Sequence, residues 1–409
     1  MQALEKQSNT EINIPDEVLN LYKIDGYENV AYKKYLISKK LFESEKNNSG
    51  HGSLSKTKDS ILRKSGDEMV SAIIEALESS DIEIQRIGAS LVQNAPKGQI
   101  EILKQLLYKK IVEALDSVNV QIQRIAMNMV QFVPENKQDE LREIVHQKIV
   151  EGLNSDDVIT QRIMAKKVNI APLNTHNDLR KLIYTKIVKA LNSDDVLIQR
   201  LAATTVQYAP KNKQSELIAL VRTKFNLAKQ EGRFSEIVES PLYMNSDVRK
   251  NSTFSREDFS KTGSDTTLLL GKQFRNNLII RHIEEPCFSS WRKAYESYEA
   301  WMEAGFDYVP VEPIYSFKHE AENGLVNVSS GVLDLNLEDW YAFSENTFKW
   351  ELDEQKNKII NAISSMGINH GHINDANFCL RFYRDENGNI DINQVPKIYL
   401  IDFDKATQY

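Results

Sequence analysis

The chain has 409 residues, a formal net charge of −7, 41% hydrophobic and 27% charged residues, an ordinary balance for a globular protein with room for two or three domains. No stretch reaches the length of apolar residues that a membrane-spanning helix needs. Two cysteines, Cys287 and Cys379, exclude a disulfide framework and a four-cysteine zinc site. Charge is unevenly spread: residues 265–409 carry 13 Lys+Arg against 23 Asp+Glu, whereas 79–228 carry 21 against 16. An acidic C-terminal part and a weakly basic middle argue against a nucleic-acid partner.

Residues 1–64 are polar. "PDEVLNLYKI" (15–24) and "NVAYKKYLISKKLF" (29–42) read as short helices, and "SEKNNSGHGSLSKTK" (44–58) as a linker. The first residues, "MQALEKQSNTEINIPDE", contain no apolar signal core, so a cytoplasmic location in reducing surroundings is expected. Many Asn and Lys and only 16 Gly suit an AT-rich bacterial genome, which leaves room for an effector exported into a host cytosol.

Residues 65–228 repeat. Gln85, Gln123, Gln161 and Gln199, each followed by arginine (Arg86, Arg124, Arg162, Arg200), are spaced by 38. Pro96, Pro134, Pro172 and Pro210 keep the same interval, as do Lys110, Lys148, Lys186 and Lys224. Four landmarks in one register define a repeat. Ile122, Ile125, Ala126, Met129, Val130 and Val133 form one helical stripe that Pro134 should end, and Leu141, Ile144, Val145, Ile149 and Leu153 form the next. Neither helix can bury its stripe alone, so the units should stack into an all-α superhelical solenoid. The stretch "ALNSDDVLIQRLAA" (190–203) resembles HEAT-type repeats. Asp81, Asn119, Asp157 and Asp195 each stand five residues before a repeated arginine, and the arginines are expected to form an inter-repeat hydrogen-bond ladder, with a ligand-binding row as the alternative. Lys167 interrupts an apolar stripe in the third unit. Solenoids present extended surfaces, so a protein partner is expected on this region.

Residues 229–264, rich in Ser and charge and without periodicity, read as a linker. From 265 to 409 the pattern turns α+β. "TTLLLGKQF" (266–274) and "LIIRHI" (278–283) read as a hairpin, "SSWRKAYESYEAWMEAGF" (289–306) as a helix, "VPVEPIYSF" (309–317) and "GLVNVSSGVLDL" (324–335) as strands. A connecting segment leads to a helix over 347–368, a polar loop and a short hairpin.

In that loop, "HGHINDANFCL" resembles the catalytic loop of the kinase-like superfamily, in the form used by aminoglycoside phosphotransferases and atypical bacterial kinases. "YLIDFDKA" resembles the metal-binding strand end that follows it. The resemblance covers roughly 265–409 and implies a minimal kinase-like domain using ATP and Mg²⁺. It implies that Asp402 and Asn377 hold the metal. Arg281 replaces the usual phosphate-gripping lysine, with a different reach and geometry, and Glu296 or Glu299 orients it. The chain departs from the family at His372, where the catalytic aspartate belongs; His372 as proton acceptor, or Asp375 nearby, would take that role. Only five residues follow Asp404, so the large lobe's later helices are expected to be missing and substrate contacts to come from elsewhere. His370 reads as a structural loop residue, and His370, His372 and Asp375 together as an alternative metal cluster. Gly263 and Gly271 do not make a phosphate loop. The leading expectation is a phosphotransferase with an unknown acceptor. The alternatives are a pseudokinase of the same fold and a non-catalytic interaction scaffold.

Overall fold

The computed structural model describes residues 58, 61–80, 82–239, 266–269, 278–319, 325–331, 333–385 and 387–408. The short helices expected within 15–42, the first linker except Lys58, Asp81, most of the second linker and Gly263 and Gly271 lie outside the described residues.

The N-terminal part is helical and runs in pairs. A long helix is followed by a short one: α1 (Gly66–Glu78) and α2 (Ile82–Leu91), α3 (Lys97–Leu115) and α4 (Val120–Met129), α5 (Glu135–Leu153) and α6 (Val158–Ala165), α7 (His176–Leu191) and α8 (Val196–Ala203). A further long helix, α9 (Lys211–Gln230), and the short α10 (Phe234–Val238) close the run. Each short helix packs on the long one before it, long helices lie beside long and short beside short, giving two layers. The apolar stripes meet between them: Leu141, Val145 and Ile149 have no exposed surface, and Ile125 is buried. Pro96, Pro134 and Pro210 immediately precede long helices, and Pro172 precedes a single 3-10 turn that leads into α7. There a missing backbone N–H costs nothing, because the first turn has no acceptor for it.

The repeated polar residues take several roles. Asn119, Asp157 and Asp195 cap the short helices, accepting from the backbone N–H of Gln121 (2.9 Å), Ile159 (3.1 Å) and Leu197 (2.8 Å). Such caps contribute about 1 kcal/mol each. The glutamines bind within their own unit. Gln85, Gln123, Gln161 and Gln199 each donate from Nε2 to the carbonyl of the serine six residues earlier, at 2.7, 2.6, 2.5 and 2.6 Å. That bond ties the short helix to the turn ending the long one. Arg200 donates to the carbonyl of Ile237 on α10, one unit on, as an inter-repeat ladder requires, whereas Arg162 reaches the C-terminal part.

The C-terminal part is a small α+β unit. β1 (Thr266–Leu269), β2 (Leu278–Glu284), β3 (Ile314–His319) and β4 (Leu325–Gly331) form one antiparallel sheet in the order β1–β2–β4–β3. The helix expected over 289–306 begins earlier and is broken into α11 (Glu285–Glu296, with Pro286 in its first turn) and α12 (Tyr298–Glu303) at Ser297. The third strand begins only at Ile314, and Val311 bridges in parallel to Leu400. The connecting segment contains a helix, α13 (Leu337–Ser344), capped by Asn336, which accepts from Asp339 N at 2.9 Å. Then follow α14 (Lys349–Ser365), β5 (Ile368–Asn369), a 3-10 turn at Asp375–Asn377, β6 (Phe378–Arg381), β7 (Tyr383–Arg384), β8 (Ile390–Asp391), β9 (Lys397–Leu400) and β10 (Thr407–Gln408). β6 pairs with β9, and β10 returns to pair with β5. Among the described residues no helix is long and apolar enough to cross a membrane.

The two parts touch through α13, which packs on α8 and α9. Phe225 of α9 meets Trp340 and Phe343 edge-on, with centroids 5.9 and 5.4 Å apart. Around this apolar contact, Arg162 lies 2.8 Å from Glu338 and 2.9 Å from Asp339, Lys166 lies 2.6 Å from Glu338, and Arg222 pairs with Glu345. Arg200 has no exposed surface and donates to the carbonyl of Ile237 at 2.8 Å. Burial pushes its guanidinium down to about 10, against the pull of Asp339 and Glu239. Arg162 moves the other way: burial alone would lower it, but Asp339 and Glu338 outweigh that and raise it.

Candidate functional site

The polar loop and the segment that follows β9 are folded onto each other. At the loop's start, Asn369 accepts from Gly371 N at 3.0 Å. Gly371 sits at φ +75°, where a side chain would bring Cβ within 2.5 Å of the Lys405 carbonyl, so glycine is required both for the backbone angle and for the close approach. Asn374 then caps the 3-10 turn, accepting from Ala376 N at 2.9 Å. Asn377 ends it, nearly buried. Its Nδ2 donates to the carbonyl of His372 at 2.8 Å, and its own carbonyl accepts from Ile401 N at 2.9 Å. The loop is therefore closed on itself and fastened one residue before Asp402.

His370 makes the second fastening. Its Nε2 lies 2.9 Å from the Ile401 carbonyl, so that nitrogen carries the proton, and its ring meets Phe403 edge-on at 4.7 Å. Burial holds the imidazole below its usual pKa, which favours the neutral ring. Between these two anchored neighbours Asp402 takes φ +68°, a left-handed conformation uncommon for a residue other than glycine. Its carboxylate keeps 28% of its surface exposed and stands 4.0 Å from Arg281.

Arg281 comes from β2 and is almost wholly buried. Its Nε donates to Glu312 at 2.8 Å, and the Ser330 hydroxyl donates to the same carboxylate oxygen at 2.8 Å. Burial alone would lower the guanidinium's pKa, yet Glu312, Asp402 and Asp404 outweigh it and hold the charge firmly. Glu312 is a junction in its backbone as well. Its N–H donates to Leu400 O at 2.9 Å, and its carbonyl accepts from Trp291 Nε1 at 2.8 Å. Trp291 in turn stacks on Phe403, with planes 11° apart. Sheet, α11 and the segment after β9 thus converge on Arg281, Glu312 and Asp402, and Asn377 is tied to that segment through the Ile401 N–H.

Not every expected residue reaches it. Arg281 has Glu312 as its carboxylate partner, in place of the expected Glu296 or Glu299; Glu296 pairs with Arg292 at 2.7 Å on an exposed helix face, and Glu299 is exposed on α12. Asp375 is held by Lys356 of α14 at 2.9 Å. His372 is exposed on the loop. His370, His372 and Asp375 do not assemble as a metal cluster: among the described residues, no three His, Cys, Asp or Glu side chains converge to hold a metal ion. The sequence did carry a signal for Glu312, a single carboxylate inside the apolar run "VPVEPIYSF", since a charge in such a run must find a partner when buried.

Asp402 and Asn377 fit Mg²⁺ only in company. Magnesium keeps several waters and is commonly bound through one or two protein oxygens together with substrate phosphates. One carboxylate and one amide next to a buried guanidinium suit a metal brought in with a nucleotide rather than a metal-only site. No protein-family model matches this chain, and no curated protein matches it.

Proposed function

We propose that residues 65–228 form a HEAT-like solenoid and 265–409 a minimal kinase-like domain, and that the chain is an atypical ATP- and Mg²⁺-dependent phosphotransferase. The observation that carries this reading is the ion pair of Arg281 with Asp402, with the loop fastened to neighbouring Ile401 by His370 and by the Asn377 carbonyl. Order along the chain and convergence in space point the same way.

In this reading Asp402 and Asn377 would hold the metal, and Arg281 would face the phosphates while Glu312 and Ser330 keep its fork oriented. Bound there, Mg²⁺–ATP would supply the phosphoryl group and neutralise the charge developing on it. The chain's own residues position and desolvate. The Arg281–Glu312 pair is formed before any ligand arrives, so orienting it costs little on binding. His372, at the exposed edge of the loop, would accept the proton of the attacking hydroxyl, a role open to a neutral imidazole.

A second reading, nucleotide binding without transfer, is favoured by one observation: the family's aspartate is replaced by His372, and Asp375 is engaged by Lys356. Incubating the full chain with γ-labelled ATP and Mg²⁺, alone and with cell extract, separates the two. Label on a protein or small molecule, lost in Asp402→Asn, supports transfer. Binding without label supports the second reading.

A further inference from the structure

Asp375 opens the 3-10 turn that ends at Asn377. Its carboxylate is tied not to the loop but to α14, where Lys356 Nζ donates to it at 2.9 Å and meets Asp353 at 3.1 Å. Asp353 stands one helical turn before Lys356. It also accepts from the Tyr341 hydroxyl at 3.1 Å and pairs with Lys349 at 3.2 Å. Burial alone would lower the Lys356 ammonium's pKa, yet Asp375 and Asp353 outweigh it and raise it. Lys356 is only 19% exposed, so both of its pairs are less screened than an ordinary surface pair.

Tyr341 belongs to α13, and α13 packs directly on the 3-10 turn and on β6, the strand that follows Asn377. The turn is therefore held from two sides, by the packing of α13 and by the ammonium of α14. Three successive amides are engaged within it. Ala376 N donates to Asn374 Oδ1 at 2.9 Å, Asn377 N to the Asn374 carbonyl at 3.0 Å, and Phe378 N to the Asp375 carbonyl. The Asn377 side chain keeps its place only while this turn keeps its shape.

We propose that Lys356 is a positioning residue of the candidate site: by tying Asp375 to α14 and, through Asp353 and Tyr341, to α13, it fixes the turn that places Asn377. Asp375 is then an anchor of the loop rather than a proton acceptor. A turn fixed before a ligand arrives need not be ordered on binding. The bearing on the metal rests on the phosphotransferase reading; the fixing of the turn does not.

The test compares Lys356→Met and Lys356→Arg with wild type in the full chain. Amide exchange at Ala376, Asn377 and Phe378 should quicken by about threefold or more in Lys356→Met, the size of effect a partly shielded ion pair has locally. Val145 and Ile149, in the helical layers, should exchange as before. Lys356→Arg can still pair with Asp375 and should keep the exchange slow. Mg²⁺-dependent ATP binding should weaken by about the same factor in Lys356→Met and recover in Lys356→Arg, with binding in the absence of Mg²⁺ unchanged. Unchanged exchange at the turn in Lys356→Met, or a rise shared by the helical layers, would overturn the proposal. So would quickened exchange beside Mg²⁺-dependent ATP binding equal to that of wild type, since the turn would then be fixed without serving the metal. Wild-type protein that binds no ATP with Mg²⁺ would instead refute the phosphotransferase reading, and the exchange measurement would still decide whether Lys356 fixes the turn.

Discussion

Asp339, a carboxylate with no exposed surface, lies 2.9 Å from Arg162, which belongs to the third repeat far earlier in the chain. The aligned hydrogen bond from the same guanidinium nitrogen goes to Glu338 at 2.8 Å, so the contact with Asp339 is an ion pair. Arg200 lies on the other flank and is also drawn by Asp339. The helical layers and the α+β unit are thus joined through a fully buried carboxylate and a guanidinium only 14% exposed.

Removing one partner of such a group should cost more than removing its charge. Arg162→Met leaves Asp339 and Glu338 without their nearest cation, and unfolding in urea should show a loss of roughly 3–5 kcal/mol. Asp339→Asn should cost clearly less, and adding it to Arg162→Met should recover part of the loss. Strictly additive effects of the two changes would mean that the pair is not coupled.

Lys167 gives a prediction with a definite pH sign. Its folded pKa of about 8 lies below the ~10.4 of an exposed lysine. Between those values the unfolded chain binds more protons, so this group's destabilisation is complete below about pH 8 and fades as pH rises to ~10.4. Lys167→Met should therefore be more stable than wild type near neutral pH, by on the order of 1 kcal/mol after solvent screening. Parallel denaturant melts at neutral and alkaline pH check it: the difference should shrink as pH rises, and a constant difference would contradict it.

The two-layer helical part was largely legible, because a 38-residue period imposes the same helix starts, prolines and stripes on every unit. The partners of the arginines were not. Arg162 is the same residue in the same register as Arg86, Arg124 and Arg200, and its pairing with Glu338 and Asp339 is set by where α13 docks, a relation between distant segments. The helix α13 itself was missed because Leu337, Asp339, Trp340, Tyr341, Phe343 and Ser344 are all buried, so its sequence shows no amphipathic alternation. Asn336 three residues before Asp339 was the available signal, a capping pattern. In the site, loop and strand end could be read in order from the sequence, whereas Glu312 reaches Arg281 only through the three-dimensional crossing of β2, the segment before β3, and β9.

Gly371 tests whether the loop's closure depends on its backbone angle. Gly371→Ala combines a positive φ with a Cβ overlapping the Lys405 carbonyl, and should lower stability by about 1–3 kcal/mol. The β5–β10 pairing should loosen first, seen as faster amide exchange at Thr407 and Gln408. Unchanged exchange there would show that the loop accommodates the methyl group without moving.

Calorimetric titration of ATP into the full chain, with and without Mg²⁺, reads whether Asp402 holds the metal of a bound nucleotide. Wild type should bind ATP in a Mg²⁺-dependent way. Asp402→Asn, which removes one charge while keeping size, should weaken that binding by at least about tenfold, since a metal-facing carboxylate carries much of the local charge balance, with little change in melting temperature. His372→Ala should retain the binding and lose only transfer. Wild-type protein that binds no ATP in the presence of Mg²⁺, or an Asp402→Asn variant that binds it as well as wild type, would contradict the account.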